Sequence, residues 1–251
     1  MLVCYDRNKA KSRRIASAFA IGCGGQLVEA SGLDVRGKDI AFYGLSSGTI
    51  PLYTSREKAK SFRYIDNAYF DGQRGTHFRV TLGALQCSLL QQPNFQRLKS
   101  SGIEIQPWKK TGKNVLLVVQ SDEYMRLVAK QQSEIWTTSV MKLIRKNTDR
   151  SLVIMPWVRD KIRAATIFAE ALNDAWAVVV HSSSAGCEAL RRGIPVFALE
   201  GCAASPLALN DLRLLESPFY PENREDWAAG LVNCQWTLEE FKEGKFLHGN
   251  G

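Results

Sequence analysis

The sequence has no long apolar run and no paired-cysteine motif. No apolar stretch approaches the roughly 20 residues that a membrane-spanning helix needs, and the start, MLVCYDRNKAKSRR, lacks the apolar core of a signal peptide because charge begins at Asp6. The six cysteines show no C-x-x-C spacing, so we expect buried free thiols rather than zinc ligands or disulfides. These absences favour a cytoplasmic protein without membrane insertion.

Two nucleotide-binding signatures are also missing. No G-x-G-x-x-G follows the first predicted strand, which argues against a nucleotide-dependent epimerase or oxidoreductase. The Walker A pattern is absent as well, which argues against an NTPase. Apolar residues make up 45% of the chain and charged residues 23%, so an ordinary globular core is expected.

Acidic residues are scarce in the first half of the chain. The formal net charge is +8, and residues 1–115 hold 18 Lys/Arg against 8 Asp/Glu, whereas residues 116–251 hold 15 against 17. The excess is either a solvated basic surface or a surface that meets a polyanion, because phosphate contacts draw on Lys and Arg. The candidate nucleic-acid contacts are Arg7, Lys9, Lys11, Arg13, Arg63, Arg74 and Arg79.

What the sequence does contain is a strand–turn–helix–strand pattern at residues 175–199, AWAVVVHSSSAGCEALRRGIPVFAL. Its first six residues predict a parallel strand buried on both faces, and residues 194–199 predict the next strand. Gly193 is placed to end the helix between them. The turn of Ser182, Ser183 and Ser184 presents backbone N–H groups and hydroxyls at a helix start, where a phosphate binds well.

The motif H-S-S-S-A-G-x-E-A-L-x-x-G-I-P-V, which begins at His181, resembles the donor-nucleotide loop of GT-B glycosyltransferases, both of the capsule-polysaccharide type and of the phage DNA-modifying type. The resemblance is strongest over residues 152–208. It implies an α/β, GT-B-like fold of two Rossmann-like halves facing across a cleft, the first one reduced. It also implies a nucleotide-sugar donor, a UDP-sugar above all, with its pyrophosphate over the serine turn and a ribose or sugar hydroxyl on Glu188. The alternative is a Rossmann-like crossover whose polar turn binds nothing.

Three predicted strands of the second half end in polar residues, and the carboxyl ends of parallel strands share one edge of a sheet. Serines and cations together there suit a diphosphate. In capsule-type relatives a Pro with nearby Arg or Lys stands at the second of these strand ends, which residues 156–161 resemble, although Trp157 stands where relatives often have His. The candidate donor-binding residues are Gln120, Ser121, Arg159, Lys161, His181, Ser182, Ser183, Ser184 and Glu188.

Aromatic and basic residues alternate between residues 62 and 81, FRYIDNAYFDGQRGTHFRVT. Such a segment suits stacking against bases or sugars. It also predicts a half-buried hairpin that turns at Asp71 and Gly72, with the aromatic rings packed beneath, and the two readings are compatible. The segment resembles a Tyr/Asp/aromatic stretch before Arg-Val-Thr in phage glycosyltransferase-like sequences.

Sugar transfer needs a stabilised leaving diphosphate and, in an inverting enzyme, a base near the acceptor hydroxyl. The base candidates are, in order, Asp71, Asp66 and His77, because their segment should face the cleft. No D-x-D is present, so no metal of the GT-A kind is predicted. No cofactor is required besides the donor, and Mg²⁺ on the diphosphate is compatible with the sequence but not predicted.

The expected acceptor follows from the charge distribution. GT-B enzymes use the first half for the acceptor, and the aromatic segment could hold a base extruded from a duplex. We therefore expect hydroxymethylated pyrimidines in double-stranded DNA, in the cytoplasm of a phage-infected bacterium. A capsule or lipopolysaccharide acceptor is the alternative, and a non-catalytic nucleic-acid-binding α/β protein is another.

The domain boundary is predicted near residues 109–113, at the end of a stretch, residues 100–113, in which Gly, Pro and Lys concentrate. This gives an acceptor-side α/β domain at residues 1–110 and a nucleotide-sugar-binding domain at residues 111–251. Thr237 with Glu240 three residues later predicts a capping box at a C-terminal helix. As in GT-B enzymes, that helix is expected to pack back on the first domain, and residues 248–251 are expected to fray.

Overall fold

The structure, a computed structural model, describes residues 1–247, and for Gln73 the backbone alone; residues 248–251 lie outside the described range. Within that range the strands are β1 (Leu2–Tyr5), β2 (Gln26–Glu29), β3 (Asp39–Tyr43), β4 (Ser61–Asn67), β5 (His77–Leu82), β6 (Asn114–Val118), β7 (Ser151–Met155), β8 (Ala175–Val180), β9 (Val196–Ala198) and β10 (Gln235–Thr237). The α-helices are α1 (Ala10–Cys23), α2 (Ile50–Thr54), α3 (Phe95–Ser101), α4 (Asp122–Tyr124), α5 (Ser133–Asn147), α6 (Lys161–Ala171), α7 (Ala185–Arg191), α8 (Arg224–Asn233) and α9 (Leu238–Lys242). None of the helices in residues 1–247 is long and apolar enough to cross a membrane.

The chain folds into two compact units, each built on its own sheet, which confirms the predicted division into two Rossmann-like α/β halves. Unit 1 comprises residues 1–87, residues 91–97 and the chain from Gly230 onward. Unit 2 comprises residues 88–90 and 98–229.

Unit 1 contains a six-stranded mixed sheet in the order β10-β5-β4-β3-β1-β2. The strands β2, β1, β3 and β4 are parallel. At one side β5 pairs antiparallel with β4, and β10 pairs antiparallel with β5. The β4–β5 hairpin and the late strand β10 extend the parallel part of this sheet.

The C-terminal segment packs on α1 in unit 1, which confirms the expected return of the last helix. The ring of Phe19 on α1 lies edge-on to Phe241, with centroids 5.4 Å apart, and stacks on Phe246 at 4.2 Å. Gly22 permits this close approach, because a Cβ there would lie 1.7 Å from the carbonyl oxygen of Phe241. The predicted capping box is also present at the start of α9.

Unit 2 is built on a four-stranded parallel sheet in the order β7-β6-β8-β9. The strand β8 has the predicted bounds, and four of its six residues, Ala177 to Val180, are fully buried. One face of the sheet packs against α5 through Trp136, Val140 and Ile144. The apolar run at residues 175–180 was a dependable signal because β8 lies between β6 and β9 with both faces covered.

The predicted boundary at residue 110 differs from the division that the structure shows. Residues 98–113 belong to unit 2 because Gln106 N donates to Arg191 O at 2.8 Å and Lys109 N donates to Gly193 O at 2.8 Å. Gly193 has a φ of 74°, and a Cβ there would lie 1.9 Å from Pro107 O. The segment is thus attached to the end of α7, and its Gly, Pro and Lys content does not mark a linker.

Candidate functional site

The carboxyl ends of β6 and β8 are joined by a hydrogen-bonded group around Ser182. Gln120 Oε1 accepts hydrogen bonds from the Ser182 N–H and hydroxyl, both at 3.3 Å. The Ser182 hydroxyl also lies 3.0 Å from the Tyr124 hydroxyl and 2.9 Å from His181 Nδ1. Two of the predicted strand ends therefore meet, as the parallel topology requires.

Ser182 and His181 belong to the framework of this edge. Both are buried, and the His181 ring lies edge-on to Trp136 with centroids 5.5 Å apart. Burial lowers the pKa of His181, and the charge of Glu200 offsets this in part. A neutral, buried imidazole offers no cation to a phosphate, so these two residues hold the turn in place. Ser121 has a similar role, because its hydroxyl accepts a hydrogen bond from Tyr124 N at 3.2 Å and caps α4.

Ser183 and Ser184 form the accessible part of the turn, and both are only half-buried. Ser183 Oγ accepts a hydrogen bond from Ala185 N at 3.2 Å, whereas the Ser184 side chain does not cap α7. Within residues 1–247, the backbone N–H groups of Ser183 and Ser184 donate to no other residue. Two N–H groups and two hydroxyls thus lie together at the carboxyl end of β8, a set of donors that suits an anion.

Glu188, expected to meet a sugar hydroxyl, is held by two arginines of its own segment. Arg191 forms a bidentate pair with it at 2.9 and 2.7 Å, and Arg192 Nε donates at 2.6 Å. Burial raises the pKa of Glu188, but the hydrogen bonds from Arg191 and then Arg192 bring it below its usual value. The carboxylate is therefore ionised and can still accept from a hydroxyl with its remaining lone pairs.

The cations after β7 are exposed and separate from the serine turn. Asp160 Oδ1 caps α6 by accepting from Ile162 N at 3.0 Å, which leaves Arg159 and Lys161 on the surface at either side. Lys161 Nζ lies 5.5 Å from the centre of the Trp157 ring. In the described part of the chain neither cation forms a salt bridge, and no hydrogen bond joins them to the serines. The topology brings them to the same edge, because β7 neighbours β6.

The small residues after β9 pack inside unit 2. Cys202, Ala203 and Ala204 are fully buried. A Cβ at Gly186 would lie 2.9 Å from the Ala204 Cβ, so this segment sits tightly against the first turn of α7. The glycine in the H-S-S-S-A-G motif is thus explained by packing within the fold.

In unit 1, the predicted hairpin is formed by β4 and β5, and its aromatic rings are core residues. Tyr64, Tyr69, Phe70 and Phe78 are each less than 5% exposed. Gln235, itself buried, anchors the connection by accepting from the backbone N–H groups of Tyr69 and Phe70, at 2.5 and 3.1 Å. These rings are unable to stack on an extruded base without unfolding, so the expectation that they hold one is wrong.

Asp66 and Arg79 are opposite each other across the hairpin and form its buried ion pair. Arg79 Nη2 donates to Asp66 Oδ2 at 3.0 Å, and the Tyr64 hydroxyl donates to the same oxygen at 3.1 Å. The Arg79 side chain is 6% exposed and that of Asp66 is 28% exposed. Arg79 is thus a structural residue, and its predicted contact with nucleic acid is wrong because the guanidinium is buried.

The other two base candidates are at the surface of the same hairpin connection. Asp71 has a φ of 51°, and its carboxylate lies 3.9 Å from Arg74 Nη2. His77 is exposed, and its Nδ1 lies 3.1 Å from the Thr76 hydroxyl. Burial lowers the pKa of His77 even so, with Glu240 and Asp71 opposing the shift, and the imidazole is therefore neutral near pH 7.

The remaining predicted basic contacts of unit 1 differ in how freely they reach solvent. Lys11 Nζ donates to Asn67 Oδ1 at 3.0 Å and lies 5.5 Å from the centre of the Tyr43 ring. Burial lowers the pKa of Lys11, and Asp66 opposes this. The exposed members of the set are Arg7, Lys9, Lys11, Arg13 and Arg74, whereas Arg63 is half-buried.

No model of a known protein family and no curated protein matches the sequence. Two solved structures of KpsC from Thermosulfurimonas dismutans are similar in fold. The structure named as beta Kdo 2,7 transferase is 13% identical, with a TM-score of 0.59 over 98% of this chain and 99% of that chain. The one named as beta Kdo 2,4 transferase is 13% identical, with a TM-score of 0.50 over 91% and 89%. The chain has the fold of these two structures. The similarity extends over nearly its whole length, well beyond residues 152–208.

Sequence reasoning missed a buried carboxylate at the corresponding edge of unit 1. Asp6 follows β1, is 2% exposed, and accepts from the Ser46 hydroxyl at 2.6 Å, Asn8 N at 2.9 Å and Gly48 N at 3.3 Å. Burial by itself raises the pKa of Asp6, but these hydrogen bonds, led by that from Ser46, bring it below its usual value. The signal was available, since an acid directly after a buried strand needs partners.

The described residues contain no group of three or more His, Cys, Asp or Glu side chains arranged to hold a metal ion. The groups gathered at the carboxyl edge of the unit 2 sheet are hydrogen-bond donors and cations. Such a set suits the binding of an anion and the stabilisation of negative charge that develops on it.

Proposed function

We propose that this chain is a glycosyltransferase that moves a sugar from a nucleotide-sugar to a hydroxyl acceptor of the capsule-polysaccharide type. The observation that carries the proposal is the serine turn at the carboxyl end of β8, where the N–H groups of Ser183 and Ser184 donate to no other residue within the described residues 1–247. Its context supports the assignment, because the surrounding fold is that of two structures named as Kdo transferases.

The donor is assigned to unit 2 on chemical grounds. The backbone N–H groups and hydroxyls of Ser183 and Ser184 would bind the diphosphate, and Gln120 with Ser182 would hold the turn rigid. Arg159 and Lys161 would supply cations at the same edge as negative charge grows on the leaving diphosphate. Glu188 would accept from a ribose or sugar hydroxyl. The donor nucleotide is proposed to be UDP, and Mg²⁺ is not needed for these contacts.

The base is assigned to the hairpin connection of unit 1. Asp66 is engaged by Arg79 and Tyr64, which makes it the weakest of the three candidates. Asp71 and His77 are open to solvent, and either could accept the proton of an acceptor hydroxyl. A neutral His77 is already in the form that a base requires.

The donor assignment is tested by thermal shift and by sugar transfer with a panel of UDP, GDP, CMP and ADP sugars, including nucleotide-activated Kdo. A ligand that binds the native state raises the melting temperature. The double variant Ser183→Ala/Ser184→Ala should lose the donor-induced shift, with the free energy of unfolding changed by less than about 1 kcal/mol. Ser139→Ala, which removes an exposed hydroxyl on α5, is the matched control. An unaltered donor-induced shift in the double variant would refute the assignment.

Hydroxymethylated pyrimidine in DNA is the second candidate acceptor, favoured by the exposed cations of unit 1. This candidate is weakened because the Arg79 guanidinium and the aromatic rings of the β4–β5 hairpin are buried and therefore do not contact DNA. The two acceptors are separated by binding to duplex DNA over a salt series, since each phosphate contact contributes about −0.9 to the log–log slope. A steep slope with labelled sugar on hydroxymethylated DNA would favour DNA. A flat response with transfer to a glycan would favour the capsule type.

A further inference from the structure

Two cysteines that are far apart in the sequence lie together in unit 1. Cys87 follows the β4–β5 hairpin, and its backbone N donates to the Tyr69 hydroxyl at 2.9 Å. Cys234 comes just before β10, and its thiol donates to Gln91 Oε1 at 3.9 Å. The residue after Cys234, Gln235, accepts from Tyr69 N. Cys87 thus contacts the Tyr69 side chain directly, and the residue after Cys234 holds the Tyr69 backbone.

The two thiols also lie within hydrogen-bonding reach of each other, so the Cys87 sulfur and Gln91 Oε1 share the single proton of the Cys234 thiol. Cys87 is half-buried and Cys234 is buried. Of the two cysteines, Cys87 is therefore the more accessible to a small reagent. This arrangement of an accessible sulfur backed by a second one is the usual geometry of an attacking and a resolving thiol.

The surroundings favour a thiolate at Cys87. The hydrogen bond from Cys234 is the largest cause that lowers the pKa of the Cys87 thiol to about 7, burial opposes it, and the Tyr69 hydroxyl and the Arg79 charge add to the lowering. Donation of its hydrogen bond to the Cys87 sulfur, and then burial, raise the pKa of the Cys234 thiol, so that thiol keeps its proton and stays a donor. The Arg79 guanidinium lies 4.7 Å from the centre of the Tyr69 ring, which places a fixed positive charge beside the pair.

We propose that Cys87 and Cys234 form a peroxide-reactive dithiol that closes to a disulfide. The Cys87 thiolate attacks a hydroperoxide, the O–O bond breaks, and Cys87 sulfenic acid and hydroxide form. The Cys234 sulfur then attacks the Cys87 sulfur, the S–O bond breaks, and water leaves. The proton of Cys234 and the proton that Cys87 released earlier complete two waters from one hydrogen peroxide. Two thiols are oxidised to one disulfide, and the peroxide is reduced.

The first test uses the full chain in its reduced form. A few equivalents of hydrogen peroxide should remove two of the six thiols, and peptide mapping without reductant should find residue 87 joined to residue 234, with the loss of two hydrogens. Dithiothreitol should restore both thiols. Oxidation that consumes other cysteines and leaves this peptide pair absent would overturn the proposal.

The second test separates the hydrogen bond from the disulfide and needs no loss of the fold. Alkylation of Cys87 by iodoacetamide should have its half-maximal rate near pH 7 in the parent chain. Cys234→Ser keeps a hydrogen-bond donor, so the midpoint should stay low while no disulfide forms and the Cys87 sulfenic acid becomes trappable by dimedone. Cys234→Ala should move the midpoint upward. Cys23→Ser, a half-buried cysteine elsewhere in unit 1, is the control and should change neither reading. Equal midpoints in the alanine variant and the parent chain would show that the two sulfurs do not interact.

Discussion

The Asp66–Arg79 pair offers the sharpest test of whether a predicted catalytic carboxylate is instead structural. Breaking a buried ion pair by removing one partner costs about 3–5 kcal/mol when the remaining charge is uncompensated. Here the Asp66 side chain is 28% exposed, and Arg79 keeps its hydrogen bond to Asn67 O at 2.6 Å. Both facts reduce the cost. We expect Asp66→Asn to lower the free energy of unfolding of unit 1 by about 2 kcal/mol.

The loss should appear as a fall in melting temperature of about 4–8 °C, since 1 kcal/mol corresponds to about 2–4 °C in chains of this size. Hydrogen exchange should speed up in peptides from residues 61–82 and remain unchanged in unit 2. The double variant Asp66→Asn/Arg79→Met should lose less than the sum of the single variants, because the pair is coupled. Asp34→Asn is the matched control, because Asp34 pairs with Arg36 on the exposed surface of the same unit. An Asp66→Asn chain that melts like the parent but transfers no sugar would restore Asp66 as a base.

Three further results are expected. Gly22→Ala should lower the free energy of unfolding, measured by urea titration, by more than about 2 kcal/mol. Overpacking against the Phe241 carbonyl outweighs the gain in helix propensity. An unchanged free energy of unfolding would contradict the close contact. The pKa of Asp6 is lower in the folded than in the unfolded chain, so the ionised carboxylate stabilises the fold above its unfolded-state pKa. This contribution is lost as pH falls below about 4. Asp6→Asn should therefore flatten the acid side of the stability–pH curve. If His77 is the base, the acid limb of the rate profile should lie below pH 6.5, because its pKa is lowered, and should vanish in His77→Gln.

The sequence predicted best those elements whose signal is local. The bounds of β8 followed from six consecutive apolar residues, and the capping box at Thr237 followed from two residues three positions apart. The meeting of Gln120 with Ser182 followed from the rule that parallel strand ends share an edge. Each of these predictions needs only residues that are close in sequence or that lie at the ends of neighbouring parallel strands.

What the sequence did not reveal depends on contacts between distant segments. Gln235 buries the aromatic connection of the hairpin from 165 residues away, so the same rings were open to a ligand-binding interpretation. Arg97 is a second example, because it donates to both oxygens of Glu240, at 2.6 and 2.9 Å, and stacks 4.4 Å from the centre of the Trp236 ring. Nothing near residue 97 indicates that pairing. The cleft between the two halves stays a prediction, as do the ligand contacts of Ser183, Ser184 and Glu188.

The strand β10 gives unit 1 an order of assembly that unit 2 does not share. Apart from residues 88–90, unit 2 is the single continuous stretch 98–229, so it can fold as soon as that stretch has left the ribosome. Unit 1 must wait for residues 235–247, and until then the backbone of β5 from His77 to Arg79 has no antiparallel neighbour on that side. An open strand edge is a template for pairing with other chains. A nascent or truncated chain that ends before Gln235 should therefore aggregate through β5. In the complete chain, pairing with β10 covers this edge of β5.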